Sequence, residues 1–164
     1  MKRLKLNCLI AYVLVGLFVV PDVNGRGAVT QAAKLASKVG ITGQQAAALR
    51  LAWDNLLRGY EDLLSTPPDV RGDTSTLEGH IKAAMNQLHA VDPSAIPVAP
   101  ASIPVQDKGR TRQFILDAVR GHLQKAKNVI EGAKVSHPDV QQALGNITVA
   151  EGDVTEIQAT PAKK

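Results

Sequence analysis

Sulfur and aromatic carbon are nearly missing from this chain. Its 164 residues include one cysteine, Cys8, and aromatics make up only 3% of them. A single thiol cannot close an intrachain disulfide, so a disulfide-stapled scaffold is excluded and stability must come from packing. Trp53, Tyr60 and Phe114 are the only aromatics after residue 25, so the core has to be aliphatic. Long blocks of one charge are lacking too. The largest basic groupings are Lys108, Arg110, Arg112 and the pair Lys163-Lys164, too short for the clustered basic face that nucleic acid requires. Catalytic signatures are also missing. There is no Cys-x-x-Cys-His for covalent haem, no Glu-x-x-His pair of the di-iron type and no His-Glu-x-x-His. No serine sits in a nucleophile elbow, and the glycines are scattered singly instead of forming a phosphate-binding loop. These absences point away from an enzyme.

What is present begins with an export signal. Met1-Lys2-Arg3-Leu4-Lys5 is basic, Cys8 to Val20 is an uncharged apolar run, and Pro21-Asp22 breaks it ahead of Val23-Asn24-Gly25. Basic, apolar and small-residue regions in that order are the layout of a secretory signal peptide. A helix that spans a bilayer needs about 20 apolar residues, more than this run supplies. We therefore expect residues 1–25 to be removed, after Gly25 or Gly27, and the rest to act outside the cytoplasm, in a periplasm or beyond it, without stable membrane insertion. Cys8 precedes the apolar run, so it does not stand where a lipoprotein cysteine must. The signal also inflates the basic charge. Without Lys2, Arg3, Lys5 and Asp22, the 19 basic and 15 acidic residues become 16 and 14.

The remaining stretch of about 139 residues suffices for one domain with a real core. Its apolar spacing is helical throughout. Residues 28–39 form a short Ala-rich candidate helix. Thr42 and Gln45 make a capping box for a helix over 42–64, with Leu49, Trp53, Leu56, Tyr60 and Leu63 on its apolar stripe and Thr66-Pro67-Pro68-Asp69 as its stop. Ser75 and Glu78 read as a second capping box, opening a helix over 75–91 that Asp92-Pro93 ends. Residues 92–106 hold four prolines and no basic residue, an extended, partly polyproline-like connection. It is long enough to cross a bundle end or run along its side. Helical phase resumes over 108–134 and again over 137–158, where Pro138 suits a first turn. In that last element Gly145, Gly152 and the β-prone run Ile147-Thr148-Val149 leave continuity open. Residues 160–164 form a frayed tail. Amphipathic helices of this length need partners for their stripes. The expected fold is therefore all-α: an antiparallel, up-and-down bundle of about four main helices, with a short N-terminal helix and a Pro-rich connection, forming one domain over 26–159. A helical hairpin repeat or an elongated coiled coil is the alternative.

One element recurs. Residues 77–88 (LEGHIKAAMNQL) align without gaps on 119–130 (VRGHLQKAKNVI), sharing Gly-His, an alanine, an asparagine and the aliphatic positions. Leu57-Arg58-Gly59-Tyr60 is a fainter echo. Two related helices follow, as would arise from duplication of a helical hairpin. A glycine before the histidine would let a neighbouring backbone come close.

Gly79-His80-Ile81-Lys82-Ala83-Ala84-Met85 resembles the Gly-His-basic-x-x-Ala-Met/Leu signature of small secreted bacterial helical proteins. Ile81 stands where those proteins usually carry arginine. The resemblance spans about fifteen residues and implies an exported helical protein of bacterial type; it implies no reaction and no ligand.

The candidate site residues are His80 and His122. Each ring either packs at the core edge against a carbonyl or carboxylate, or the two meet across the bundle and bind a transition metal or haem, since imidazole is the commonest metal ligand. Met85 lies off the face of His80 and reads as core filler. Glu61-Asp62 reads as a solvated acidic face, Trp53 as core, and Asn146-Ile147-Thr148 as a chance match to a glycosylation acceptor. Three functional readings follow: a non-enzymatic exported protein with a structural or protein-binding role and no cofactor, a metal- or haem-binding bundle using His80 and His122, and a reversible binder of lipid surfaces. The modest net charge and sparse aromatics weigh against the third.

Overall fold

The computed structural model describes residues 40–65, 73–104 and 109–160. The expected export signal, the helix over 28–39, the stop at 66–69 and the tail beyond Thr160 lie outside them. Four α-helices make up the described chain: α1 (Gly43–Leu64), α2 (Ser75–Val91), α3 (Arg112–Ala133) and α4 (Pro138–Ala159). Among the described residues, none of these helices is long and apolar enough to cross a membrane.

Their ends follow from local chemistry. Thr42 caps α1 through the expected box: its Oγ1 accepts from the Gln45 amide at 3.2 Å, and its own amide donates to Gln45 Oε1 at 2.9 Å. The box expected at Ser75–Glu78 does not form. Asp73 Oδ1 takes both the amide and the hydroxyl of Ser75, so Thr74 becomes the N-cap and donates its hydroxyl to Glu78 at 2.8 Å. The third helix begins later than residue 108, because Gly109 has a left-handed φ of +62° that cannot be extended as a right-handed helix. Thr111 caps it instead, accepting from the Phe114 amide. The fourth is one unbroken helix through Gly145, Val149 and Gly152. Its N-cap is the imidazole of His137, which accepts from the Asp139 amide.

Side-chain ties fix the helix directions. Gln45, at the start of α1, donates to the carbonyl of Ala133 at the end of α3, while Asp62 near the end of α1 meets Arg110, just ahead of α3. On α2 and α4, Gln87 and Gln142 are bonded, as are His80 and Asp153. Arg112 and Arg120 of α3 reach Ile157 and Thr155 of α4. Each contacting pair is therefore antiparallel: α1 packs on α3 and α2, and α4 packs on α2 and α3. The diagonal pairs, α1 with α4 and α2 with α3, run parallel.

This departs from a simple up-and-down order. Between α2 and α3 the chain returns along the bundle before descending again. The return is the Pro-rich connection, which runs as a strap back along α2. His89 Nδ1 meets the Ile96 carbonyl at 2.6 Å, Asn86 Oδ1 accepts from the Ala99 amide at 3.0 Å, and Lys82 Nζ donates to the Ala101 carbonyl at 3.3 Å. From the first of these ties to the last the strap advances five residues, Ile96 to Ala101, while α2 is retraced by seven, His89 to Lys82, fewer residues because extended backbone rises more per residue than helix.

The core is aliphatic, as the composition requires. Leu49, Leu56 and Leu63 of α1, Leu77, Ile81, Met85 and Leu88 of α2, Leu116 and Leu123 of α3 and Ile147 and Val154 of α4 are fully buried or nearly so. Trp53 is core as well, at 4% exposure.

Candidate functional site: two histidine–aspartate pairs

Position on the helix surface sets up each pair. In α2, His80 precedes the buried Ile81, so its ring lies at the edge of the apolar stripe. In α4, Asp153 precedes the buried Val154 in the same way. The two meet at the α2–α4 seam, His80 Nδ1 to Asp153 Oδ2 at 2.7 Å, with both side chains largely covered. His122 precedes the buried Leu123 of α3, and Asp62 precedes the buried Leu63 of α1. They meet at the α1–α3 seam, His122 Nε2 to Asp62 Oδ2 at 3.5 Å. The other Asp62 oxygen accepts from Arg110 Nη1 at 2.7 Å.

The two environments differ electrically. Burial lowers the pKa of His122 from its ordinary value. The Asp62 charge opposes that fall, and the positive charges of Lys125 and Arg58 add to it. Desolvation penalises the imidazolium, so the pocket favours the neutral ring. The Nδ1 of His122 is buried and finds no hydrogen-bond partner among the described residues.

His80 and His122 do not share a site. Each faces its own carboxylate, across a different seam, on helices that are diagonal to one another. Among the described residues no group of three or more His, Cys, Asp or Glu is placed to hold a metal ion. Met85 is fully buried in the core.

The glycines before the histidines do not bring backbones together: a Cβ added at Gly79 or Gly121 would meet nothing within 4 Å. The close approach is at Gly59, the fainter echo, where an added Cβ would stand 3.3 Å from His122 Cβ. The α1–α3 seam is tight at this point because Gly59 puts no side chain against the His122 Cβ.

The pairs are related by an internal two-fold pattern. Shifting α1 by 91 positions maps its buried residues 49, 52, 56, 59 and 63 onto the buried 140, 143, 147, 150 and 154 of α4, and maps Asp62 onto Asp153. Shifting α2 by 42 positions maps buried 77, 81, 84 and 88 onto buried 119, 123, 126 and 130 of α3, and His80 onto His122. Both shifts relate diagonal, parallel helices, as a two-fold axis along the bundle would. A tandem copy of the α1–α2 hairpin would instead relate α1 to α3, so the repeat does not follow the order that hairpin duplication gives.

Sequence reasoning missed both aspartates. Glu61 is exposed as expected of a solvated face, but its neighbour Asp62 is largely covered and holds two partners. Their signal was the repeated Asp-aliphatic step, Asp62-Leu63 and Asp153-Val154, at equal phase in the two stripes. The strap anchors Lys82, Asn86 and His89 were also missed, although they share one face of α2 at spacings of four and three. Asn146 is a poor glycan acceptor as folded: it lies within α4 and donates to Gln87 Oε1 at 2.8 Å.

No family model, curated protein or solved structure matches this chain.

Proposed function

We propose that this chain is an exported, non-enzymatic helical bundle that works by binding other proteins. The observation that carries this reading is the use made of the titratable side chains. Two histidine–aspartate pairs, His80–Asp153 and His122–Asp62, cross-link helices at matched positions of a two-fold pattern, instead of converging on one cleft as acid and base would. The apolar stripes are consumed within the bundle, which leaves outer faces of charged and polar side chains punctuated by single exposed residues, Leu51, Val98, Phe114 and Val149. Export rests on the layout of residues 1–25, and the Gly79-His80 signature of small secreted bacterial proteins agrees with it.

The test is made on the full chain expressed in a bacterial host that exports it. The expected result is a processed protein whose first residue is Arg26 or Ala28, recovered outside the cytoplasm, together with a defined cross-linked adduct to another exported protein. Elemental analysis and an absorption spectrum of the same material are expected to show neither stoichiometric metal nor a haem band. An unprocessed chain retained in the cytoplasm would overturn the export reading. A stoichiometric metal lost in the His80→Ala/His122→Ala double variant would replace it with the cofactor-binding alternative.

A further inference from the structure

We propose that the groove between α1 and α2 is a binding site for an uncharged, proline-rich, extended segment of another protein, and that residues 94–104 occupy it as its resident ligand. The proposal rests on the protein-binding reading above and names the class of partner.

The strap is held as a docked peptide is held. Among the described residues, the stretch from Pro97 to Pro104 makes no backbone–backbone hydrogen bond. Side chains of the two helices read its backbone instead. Arg50 of α1 donates to the Ala95 carbonyl at 3.0 Å. On α2, His89 meets the Ile96 carbonyl, Asn86 accepts from the Ala99 amide and Lys82 donates to the Ala101 carbonyl. Three of the four anchors meet carbonyls and one meets an amide. That ratio suits a proline-rich chain, which keeps every carbonyl and lacks an N–H at each proline.

Side-chain spacing agrees. Ile96 and Ala99 are buried and Ile103 is half-buried, while Pro97, Val98, Ala101 and Ser102 face out. The interval of three from Ile96 to Ala99 fits the three-residue turn of a polyproline helix, and a bend at Ala101 precedes the next insertion at Ile103. The groove also carries an aromatic element, since Lys82 lies over the Tyr60 ring at 5.8 Å while reaching the strap. No charged side chain occurs from Ser94 through Pro104, so the site has been shaped around a neutral ligand.

The anchors lie outside the packed interior. Lys82 and His89 are half-buried and Asn86 is exposed, whereas Leu77, Ile81, Ala84, Met85 and Leu88 beneath them are fully buried. The strap seats Ile96 and Ala99 in the hydrophobic cluster, with Ile103 packed against it, so leaving the groove uncovers these three side chains together with the helix surface beneath them. The strap leaves α2 through a turn held by Asp92, whose carboxylate accepts from the Ser94 hydroxyl at 2.6 Å. A resident ligand in cis reduces the apparent affinity for a ligand in trans by the fraction of time the groove is vacant.

The probe is a fluorescein-labelled synthetic peptide with the sequence of residues 93–104, titrated into the full chain and followed by anisotropy. The Ile96→Ala/Ile103→Ala variant weakens the strap and leaves every groove residue in place. It is expected to bind the peptide about tenfold more tightly than the unaltered chain, and adding Asn86→Ala and His89→Ala is expected to abolish that binding. A Pro97→Gly/Pro100→Gly variant, which loosens the strap without touching its inserted residues, is expected to act in the same direction. Absence of saturable binding to strap-weakened variants that keep their helical circular dichroism would overturn the proposal, as would binding indifferent to Asn86 and His89. Collapse of helical signal in both strap variants would also overturn it, by making the strap part of the core instead of an exchangeable occupant. The cross-linked adduct to an exported protein is scored separately. Its persistence alongside a failed peptide titration refutes the groove alone, and its absence refutes the protein-binding reading.

Discussion

At the scale of single residues, His122 shows how burial and charge divide their effects. Its ring lies in a pocket that disfavours the imidazolium, with Asp62 opposing and Lys125 and Arg58 reinforcing that preference. The sign follows from linkage. An unfolded histidine titrates near 6.5 and His122 in the fold titrates below that, so as the pH falls the unfolded chain takes up the proton first. The His122 contribution is therefore at its most favourable above about pH 6.5 and is lost as the pH falls through the lowered folded value. Urea titrations of the unaltered chain and of His122→Gln should diverge in this interval, the unaltered chain losing more stability on acidification. Equal losses would remove His122 as the cause. Asp62 bears on two partners. Asp62→Asn leaves Arg110 without its 2.7 Å ion pair and removes the one carboxylate facing His122, and we expect a loss of about 1–3 kcal/mol in the same titration. Lys134 offers the opposite case. It ends α3 at φ +51°, where a side chain crowds its own carbonyl, and Lys134→Gly should raise stability by roughly 0.5–1 kcal/mol and shift the urea midpoint upward.

At the scale of elements, the sequence located the four helices well because their stripes and caps are local signals. Thr42 and Gln45 are three residues apart, and a reader of the sequence needs nothing else to place the start of α1. Errors arose where two local partners competed or where backbone conformation had no strong residue signal. Asp73 outcompeted Glu78 for Ser75, and Gly109 took a left-handed turn that delayed α3. The glycines of α4 left its continuity open because propensity alone opposes a helix there. Packing overrides it, with Val140, Ala143, Ile147, Ala150 and Val154 buried along one face. This makes α4 improvable. A Cβ at Gly145 or Gly152 meets nothing within 4 Å, and both lie in regular helix, so Gly145→Ala and Gly152→Ala should each add about 1 kcal/mol. Thermal unfolding followed by circular dichroism would register the rise, and a fall at either site would mean that the glycine serves a contact not made in the isolated chain. Gly59 is different, because the same change would press on His122 Cβ at 3.3 Å and open the α1–α3 seam.

At the scale of the whole molecule, the long-range facts were the least legible. The repeat at 77–88 and 119–130 was visible, but its geometric meaning was not, since the Asp-bearing partners on α1 and α4 share a burial pattern and little sequence. The Pro-rich connection was open to crossing a bundle end or running along its side, and composition did not decide between them; the connection runs along α2 and sets α3 parallel to it. That arrangement carries His80 and His122 to opposite seams, and it leads to a test of the site as a whole. Substitutions that share no partner and lie far apart add within roughly 0.5 kcal/mol, whereas groups that act through a common centre do not. His80→Ala removes the 2.7 Å bond to Asp153 at the α2–α4 seam, and His122→Ala removes the contact with Asp62 at the α1–α3 seam. If the pairs are independent cross-links, the double variant should lose the sum of the two single losses in urea unfolding. Adding a divalent transition metal should change none of the four proteins in the cycle by a histidine-dependent amount. A coupling energy well beyond 0.5 kcal/mol, growing with added zinc or copper, would mean that the two rings share a ligand, and would move the functional reading from protein binding to metal binding. Additivity with and without metal would leave the two pairs as matched struts on a two-fold frame.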